Sequence, residues 1–167
     1  MLNMFDIKKI NSLNKSEFLS IFGNVFEKSK WISEKAFDLK PFKSLESFIS
    51  EIIGIYENSD DKIIIKIFNL HPELVIEKKL TADSKSEQTK ANLKECTPEE
   101  FDEFKQLNFN YRKKFNFPFI IAVKGKNKIE ILNKFKERIN NSLENEFLEA
   151  KNQVKKIATF RLEELIK

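Results

Sequence analysis

The feature that most limits how this chain can fold is its scarcity of glycine. Only three glycines occur among 167 residues, at positions 23, 54 and 125. The tight turns of β-hairpins need glycine or another residue that tolerates positive φ angles, so a protein built from hairpins would have few places to turn. We therefore predict an all-α fold in which helices are joined by short loops.

Several helix starts are visible in the sequence. Thr97, Pro98 and Glu100 occupy the cap, the first and the third positions of a capping box, and apolar residues then recur every three or four positions up to Phe115. Asn14 and Asn127 each have a glutamate three positions later, which predicts two further caps. The same patterns predict helices near 15–26, 31–38, 45–57, 62–69, 84–94, 128–142 and 144–166.

Length and composition fit one compact domain over residues 1–167. Hydrophobic residues make up 41% of the chain and charged residues 34%, a balance typical of globular proteins. The longest apolar run, Phe115 to Val123, is much shorter than the roughly 20 residues of a membrane-spanning helix. The N-terminal residues lack the apolar stretch and cleavage site of a secretory signal, so we expect a cytoplasmic protein.

The chain has one cysteine, Cys96, and one histidine, His71. A single cysteine excludes an intrachain disulfide, and a clustered Cys/His metal site cannot be assembled, so we expect no metal. Cys96 precedes Thr97 in a predicted helix-entry loop with no histidine nearby in sequence, which disfavours a role as nucleophile.

The net charge of +4 raises the question of nucleic-acid binding. However, the basic residues are scattered among 26 acidic ones, and only Arg112, Arg138 and Arg161 are arginine. Recognition of phosphates and bases favours the planar fork of arginine over lysine. The composition predicts a solvated surface and no nucleic-acid partner.

His71 is the first candidate for chemistry, because histidine alone has an unperturbed pKa near neutral pH. Pro72 disfavours helical dihedral angles at the preceding residue, so the helix before His71 should end there. One interpretation is a structural His-Pro helix stop. The other is an imidazole placed just beyond a helix end for acid–base work.

The segment Ser84-Lys85-Ser86-Glu87-Gln88 is a second candidate. Ser84 and Glu87 have the spacing of a capping box, in which both side chains would bind backbone amides. A helix starting there could equally present its N–H groups to an anionic ligand. The spacing is compatible with both interpretations.

Arg161 lies on an apolar-rich predicted C-terminal helix. It could be a surface residue or could bind a carboxylate through two parallel hydrogen bonds.

The run Phe115 to Val123 contains Pro118, which breaks the helical pattern. We predict a buried, non-helical connector there, either a short strand or a core plug, unless it has a role in binding.

An ordered series of motifs spans nearly the whole chain: FLSIFGNVFE at 18–27, SKW at 29–31, KPF at 40–42, HPEL at 71–74, LTADSKSEQ at 80–88, LNFNYRKKFNFPFIIAVKG at 107–125, Arg138, Glu146-Phe147 and Arg161-Leu162. Taken together and in order, these motifs resemble the 2-oxo-4-hydroxy-4-carboxy-5-ureidoimidazoline (OHCU) decarboxylase family. The sequence departs from the family pattern at Asn116, where a glycine is common; asparagine can still adopt left-handed dihedral angles.

The resemblance implies an all-helical homodimer that converts OHCU to (S)-allantoin in urate degradation without a cofactor. It implies that His71 and Glu87 are catalytic. Matching family positions also imply a set of substrate-binding residues: Pro72, Ser84, Lys85, Ser86, Glu87, Gln88, Phe119, Ile120, Ile121, Ala122, Val123 and Arg161.

Decarboxylation leaves an electron pair that must be accommodated, and many decarboxylases use a cofactor for this. In the implied reaction the ring imine of the substrate accepts the pair. His71 is the expected proton carrier and Glu87, placed at a helix N-terminus, the expected ionised acceptor. The alternative is an inactive helical domain of the same fold that serves as a structural or interaction module.

Overall fold

The computed structural model describes residues 5–75 and 80–166. These residues form α-helices joined by loops and include no β-strand, which confirms the predicted all-α fold. The helices are α1 (Ile7–Ser12), α2 (Lys15–Phe22), α3 (Lys30–Phe37), α4 (Leu45–Glu57), α5 (Asp61–Leu70), α6 (Ala82–Lys90), α7 (Pro98–Phe115), α8 (Lys128–Arg138) and α9 (Leu143–Ile166).

The helix caps predicted at Asn14, Thr97 and Asn127 are confirmed. The Asn14 side chain accepts a hydrogen bond from the Glu17 amide, and the Glu17 carboxylate accepts one from the Asn14 amide, each at 2.9 Å. Asn127 caps α8 through the same reciprocal pair, and Thr97 caps α7 with Pro98 at its first position. Side chains that satisfy the first amides therefore determine where these helices begin.

Helix ends agree less well with the predictions than helix starts. The helix predicted over 84–94 ends at Lys90, because Asn92 takes a left-handed conformation (φ 58°) and the Leu93 amide turns back to the Gln88 carbonyl at 3.1 Å. The helices predicted over 15–26 and 128–142 also end early, and α1 was not predicted. The apolar pattern continues beyond a helix end, so it locates the end poorly.

The described chain divides into two compact units. The first comprises residues 5–70 and 154–166. Its core is an aromatic cluster in which Phe22 and Phe48 approach to 5.0 Å and Phe18 and Phe22 to 5.0 Å between ring centroids. Helix α4 buries Tyr56 against Phe26 at 4.9 Å. Edge and tilted ring contacts of this kind add to the stability gained from burial.

The second unit, His71–Gln153, contains the predicted site residues His71 and Pro72 and the predicted site segments 84–88 and 119–123. Its core is built around Phe119 and Phe135, whose rings stack at 3.9 Å, and the edge of Tyr111 meets Phe119 at 5.4 Å. These side chains come from α7, from α8 and from the connector that joins them.

The connector begins at a left-handed residue. Asn116 caps the C-terminus of α7 with φ 61° and ψ 19°, and its amide donates to the Arg112 carbonyl at 2.9 Å. The positions from 117 to 123 that follow are buried and non-helical, as predicted, although no strand forms there. Asparagine thus adopts a left-handed conformation that most other side chains disfavour.

Replacing Asn116 by alanine should lower the free energy of unfolding by about 1–2 kcal/mol, because alanine adopts left-handed dihedral angles at a cost. Asn116→Gly should keep or raise stability. Urea denaturation measures both variants, and Asn110→Ala on the exposed side of α7 is the matched control, expected to be close to neutral. Equal losses at positions 110 and 116 would contradict this account.

Candidate functional site

His71 lies immediately beyond the end of α5, as the His-Pro sequence predicted. Helix α5 ends at Leu70, and the His71 side chain is only 7% exposed. Pro72 follows and cannot continue the helix with an N–H donor. The single histidine of the chain is therefore a buried group at a helix end and not a surface residue.

The backbone after His71 is held by side chains from two helices. The Gln88 amide group of α6 donates to the Glu73 carbonyl at 3.4 Å and accepts from the Val75 amide at 3.3 Å. Asn108 of α7 donates to the Leu74 carbonyl at 2.9 Å. Val75 has a φ of 54°, which is unfavourable for a β-branched residue and persists only where surrounding contacts impose it.

The helix that carries Ser84 starts earlier than predicted. Thr81 is the N-cap of α6, and its hydroxyl accepts from the Ser84 amide at 3.3 Å. The predicted capping box of Ser84 with Glu87 is therefore wrong, whereas the ligand site predicted for this helix start stays a prediction. Because α6 begins at Ala82, Glu87 lies in its second turn, where the effect of the helix dipole has fallen off.

Helical geometry separates the five residues of this segment into two groups. Ser84 and Gln88, one turn apart, are buried, and Glu87 on the same side is half-buried. Lys85 and Ser86 are exposed. The structure thus brings three of the five predicted side chains to the protected face of α6 and directs the other two to solvent.

The connector residues Phe119 to Val123 are all buried, as the prediction of a core segment requires. Two of their backbone groups are already bound by side chains. The Ile120 carbonyl accepts from Arg138 at 2.8 Å, and the Ala122 amide donates to Gln153 at 2.9 Å. The Ala122 amide is therefore already used, while the Ile120 carbonyl keeps a second lone pair.

Arg138 belongs to a buried polar cluster to which the sequence patterns assigned no role. Its guanidinium pairs with Glu146 at 2.6 Å, and the Tyr111 hydroxyl donates to the same carboxylate at 2.5 Å. Burial raises the pKa of the Tyr111 hydroxyl above its ordinary value, and the hydrogen bond to Glu146 and its negative charge raise it further. The sequence feature that could have pointed to this cluster is Arg138 itself, an arginine in a chain whose basic residues are nearly all lysine.

Arg161 lies in the first unit and is buried, so the interpretation as a surface arginine is wrong. The guanidinium pairs with the Glu27 carboxylate at 2.9 Å and donates to the Asn24 carbonyl at 2.9 Å. Glu27 itself is fully buried. Arginine does bind a carboxylate here, but one supplied by the protein, which fixes the orientation of the guanidinium.

Cys96 has the properties of an unreactive thiol. Its sulfur donates to the Leu93 carbonyl at 3.3 Å. Burial raises the pKa of the Cys96 thiol, and the negative charge of Glu100 raises it further, against an opposing effect of Lys128. A raised pKa lowers the thiolate fraction at neutral pH, which agrees with the prediction that Cys96 is not a nucleophile.

Residues 5–75 and 80–166 contain no group of three or more His, Cys, Asp and Glu side chains arranged to hold a metal ion. Within the same residues, every helix is too short or too polar to cross a membrane.

The family model of OHCU decarboxylase matches residues 11–163 of the chain. The chain is 39% identical, over 98% of its length, to a uric acid degradation bifunctional protein of Bacillus sp. (strain TB-90). It spans 33% of that relative and 33% of the bifunctional protein PucL of Bacillus subtilis. It is 32% identical to the 2-oxo-4-hydroxy-4-carboxy-5-ureidoimidazoline decarboxylase of Halalkalicoccus jeotgali and covers 90% of that protein.

Solved structures agree with this match. The crystal structure of an (S)-allantoin synthase superposes with a TM-score of 0.79 at 25% identity, covering 96% of this chain and 53% of that one. An OHCU decarboxylase solved in the presence of (S)-allantoin superposes with a TM-score of 0.71 at 24% identity, covering 86% and 95%, which supports the fold. The fold and the match over residues 11–163 define a class of all-helical decarboxylase domains. This chain belongs to the OHCU decarboxylase family.

The buried pair of Arg161 and Glu27 should be essential for the stability of the first unit. Glu27→Gln leaves a buried guanidinium without its counter-charge, so we expect a loss of about 3–5 kcal/mol in the free energy of unfolding. Adding Arg161→Met removes the remaining buried charge and should recover part of the loss. Chemical denaturation measures all three proteins.

The exposed pair of Lys155 and Glu57, at 2.6 Å, provides the matched control. Glu57→Gln should cost less than about 1 kcal/mol, because both side chains are in water. If Glu27→Gln were as mild as Glu57→Gln, the Glu27 pair would not have the structural role assigned to it.

Proposed function

We propose that this protein is a cofactor-independent carboxy-lyase that converts OHCU to (S)-allantoin in urate degradation. The observation that carries the proposal is His71, which is buried at the end of a helix. Gln88 of α6 forms hydrogen bonds with the backbone of the segment that follows His71, and α6 also carries Ser84 and Glu87. Membership of the OHCU decarboxylase family supports the same activity. The match over residues 11–163 supports one OHCU decarboxylase domain for residues 1–167.

The reaction needs an electron sink and a directed proton. The bond between ring carbon 4 and the carboxylate breaks, carbon dioxide leaves, and the electron pair moves toward the ring imine, whose nitrogen takes up a proton. Protonation of ring carbon 5 from one face, with conversion of the 4-hydroxyl to a carbonyl, then gives a single allantoin enantiomer. A positioned acid–base group and a fixed substrate orientation are what the protein must supply.

His71 is the proposed proton carrier, because an imidazole both gives and accepts protons near neutral pH. Glu87, half-buried on the same helical face as Ser84 and Gln88, is the proposed hydrogen-bond acceptor that orients the substrate or His71. Pro72, Ser84 and Gln88 are proposed to line the substrate site.

The other proposed substrate contacts rest on fewer structural observations. Lys85 and Ser86 would contact the substrate from exposed positions of α6. Residues Phe119 to Val123 are proposed to contribute mainly backbone groups. Arg161, which Glu27 holds in a fixed orientation, is proposed to contribute to substrate binding.

The activity is tested by making OHCU in situ from urate with urate oxidase and the upstream hydrolase, and by following optical rotation as allantoin forms. The wild-type protein should accelerate the reaction and give (S)-allantoin. A racemic product formed no faster than in the spontaneous reaction would instead support an inactive module of the same fold.

His71→Asn should fold but lose about 10²- to 10⁴-fold in kcat, the usual contribution of a general acid–base group. Circular dichroism and thermal unfolding establish that the variant is folded. Asn69→Ala, at the exposed end of α5, is the control that should keep the wild-type kcat. If His71→Asn keeps full activity, a group other than His71 is the proton carrier.

We further propose that the protein is a cytoplasmic homodimer without nucleic-acid, membrane or cofactor partners. The family resemblance supports the homodimer, and large apolar side chains exposed on the second unit are candidates for its interface. They are Phe109, Ile129, Leu143 and Leu148. Analytical ultracentrifugation should give twice the chain mass of 19.7 kDa, and a monomer at all concentrations would contradict the proposal.

A further inference from the structure

The connector between α7 and α8 runs through the interior without forming a helix or strand in residues 117–123. Buried backbone amides and carbonyls need hydrogen-bond partners, and a segment without regular structure must find them elsewhere. Here side chains supply two of them. Arg138 donates to the Ile120 carbonyl at 2.8 Å, and Gln153 accepts from the Ala122 amide at 2.9 Å.

Ile121 lies between these two tethered groups and is only 6% exposed. Within residues 5–75 and 80–166, neither its amide nor its carbonyl takes part in a hydrogen bond. The tethers on both sides fix the position and direction of this peptide. A buried donor and acceptor held in a defined orientation can bind a flat molecule that carries amide-like groups, such as a ureido-substituted ring.

We propose that Arg138 and Gln153 are positioning residues for the reaction, because they hold the connector so that the Ile121 backbone binds the polar ring atoms of the substrate. The inference rests on the proposed decarboxylase function. It adds two residues outside the implied substrate contacts, and it selects Ile121 because this residue lies between the two bound backbone groups.

Both positioning side chains are themselves fixed at their other ends. Arg138 donates to Glu146 from Nε at 2.9 Å and from Nη2 at 2.6 Å, and its guanidinium lies 4.3 Å from the centre of the Phe119 ring. Gln153 donates to the Glu149 carboxylate at 2.7 Å. A side chain anchored in this way cannot follow the connector if the backbone shifts. Each of the two hydrogen bonds therefore fixes the position of the connector backbone.

The central test is Gln153→Met, which keeps the size of the side chain but removes the acceptor for the Ala122 amide. Because the Ile121 backbone would contact the substrate in the ground state and the transition state alike, KM should rise more than kcat falls. A displaced peptide should lower kcat/KM by roughly 10- to 100-fold and reduce the enantiomeric excess of (S)-allantoin.

A rescue variant separates positioning from general damage. Gln153→Glu combined with Glu149→Gln reverses the hydrogen bond between positions 149 and 153 while it restores an acceptor for the Ala122 amide. This double variant should return KM and enantiomeric excess to near wild-type values. Failure of the rescue in a folded protein would overturn the role of the Gln153 acceptor.

Two control variants show what a merely structural change does. Ile131→Val removes a methyl group from the core of the same unit and should lower Tm without changing KM or enantiomeric excess. Gln106→Met makes the same chemical change as Gln153→Met at an exposed position of α7 and should leave Tm, KM and enantiomeric excess unchanged.

Arg138→Lys keeps a charge beside Glu146, but its three donors sit on one nitrogen and cannot span Glu146 and the Ile120 carbonyl as the guanidinium does, so a folded variant should show the same rise in KM. If this variant does not fold, the Gln153 variants alone test the positioning role. Hydrogen exchange of the Ala122 amide should be faster in Gln153→Met than in the wild type, and this readout does not depend on activity.

The possible outcomes separate the two proposals. A wild-type protein without OHCU decarboxylase activity refutes the proposed function. An active wild type, together with a folded Gln153→Met variant whose KM, enantiomeric excess and Ala122 exchange match the wild type, overturns the positioning role alone.

Discussion

The buried ion pair of Arg138 and Glu146 is the interaction on which the second unit depends. Removing both charges from water costs several kcal/mol for each ion, and their attraction offsets this only when further hydrogen bonds satisfy the remaining groups. Tyr111 and Asn141 donate to the carboxylate, and the guanidinium donates to the Ile120 carbonyl. The cluster therefore both satisfies a buried charge and fixes the connector that passes beside it.

The same physical chemistry recurs at each arginine of the chain. Arg138 and Arg161 form buried pairs with Glu146 and Glu27, and Arg112 forms a more exposed pair with Glu73. Arginine can bind a carboxylate and a backbone carbonyl at once, which a lysine ammonium does with less defined geometry. Two of the three arginines among the 30 lysines and arginines, Arg138 and Arg161, thus occur where several guanidinium donors are used at once.

The candidate site follows from how irregular backbone is stabilised inside a helical protein. The segment after His71 and the connector after Asn116 are both non-helical, and both obtain hydrogen bonds from long polar side chains of neighbouring helices. Gln88 and Asn108 serve the first segment, and Gln153 serves the second together with Arg138. Such segments place backbone groups and a histidine in fixed positions where a regular helix would use its amides internally.

The sequence by itself determined the all-α class, the caps at Asn14, Thr97 and Asn127 and the helix stop at His71. Each of these depends on contacts between residues a few positions apart, which a local pattern contains. The family resemblance was likewise readable as an ordered series of motifs, and it supplied the candidate site residues that local patterns alone left open.

Only the tertiary structure decided that Thr81 rather than Ser84 caps α6 and that Lys85 and Ser86 face solvent. It alone showed that Arg161 is buried against Glu27 and that Arg138 and Gln153 hold the connector. The tether and ion-pair partners are separated by 8 to 134 positions: 146 − 138 = 8 and 161 − 27 = 134. The packing of whole helices brings them together, and the hydrogen-bonding needs of buried backbone then select the partners.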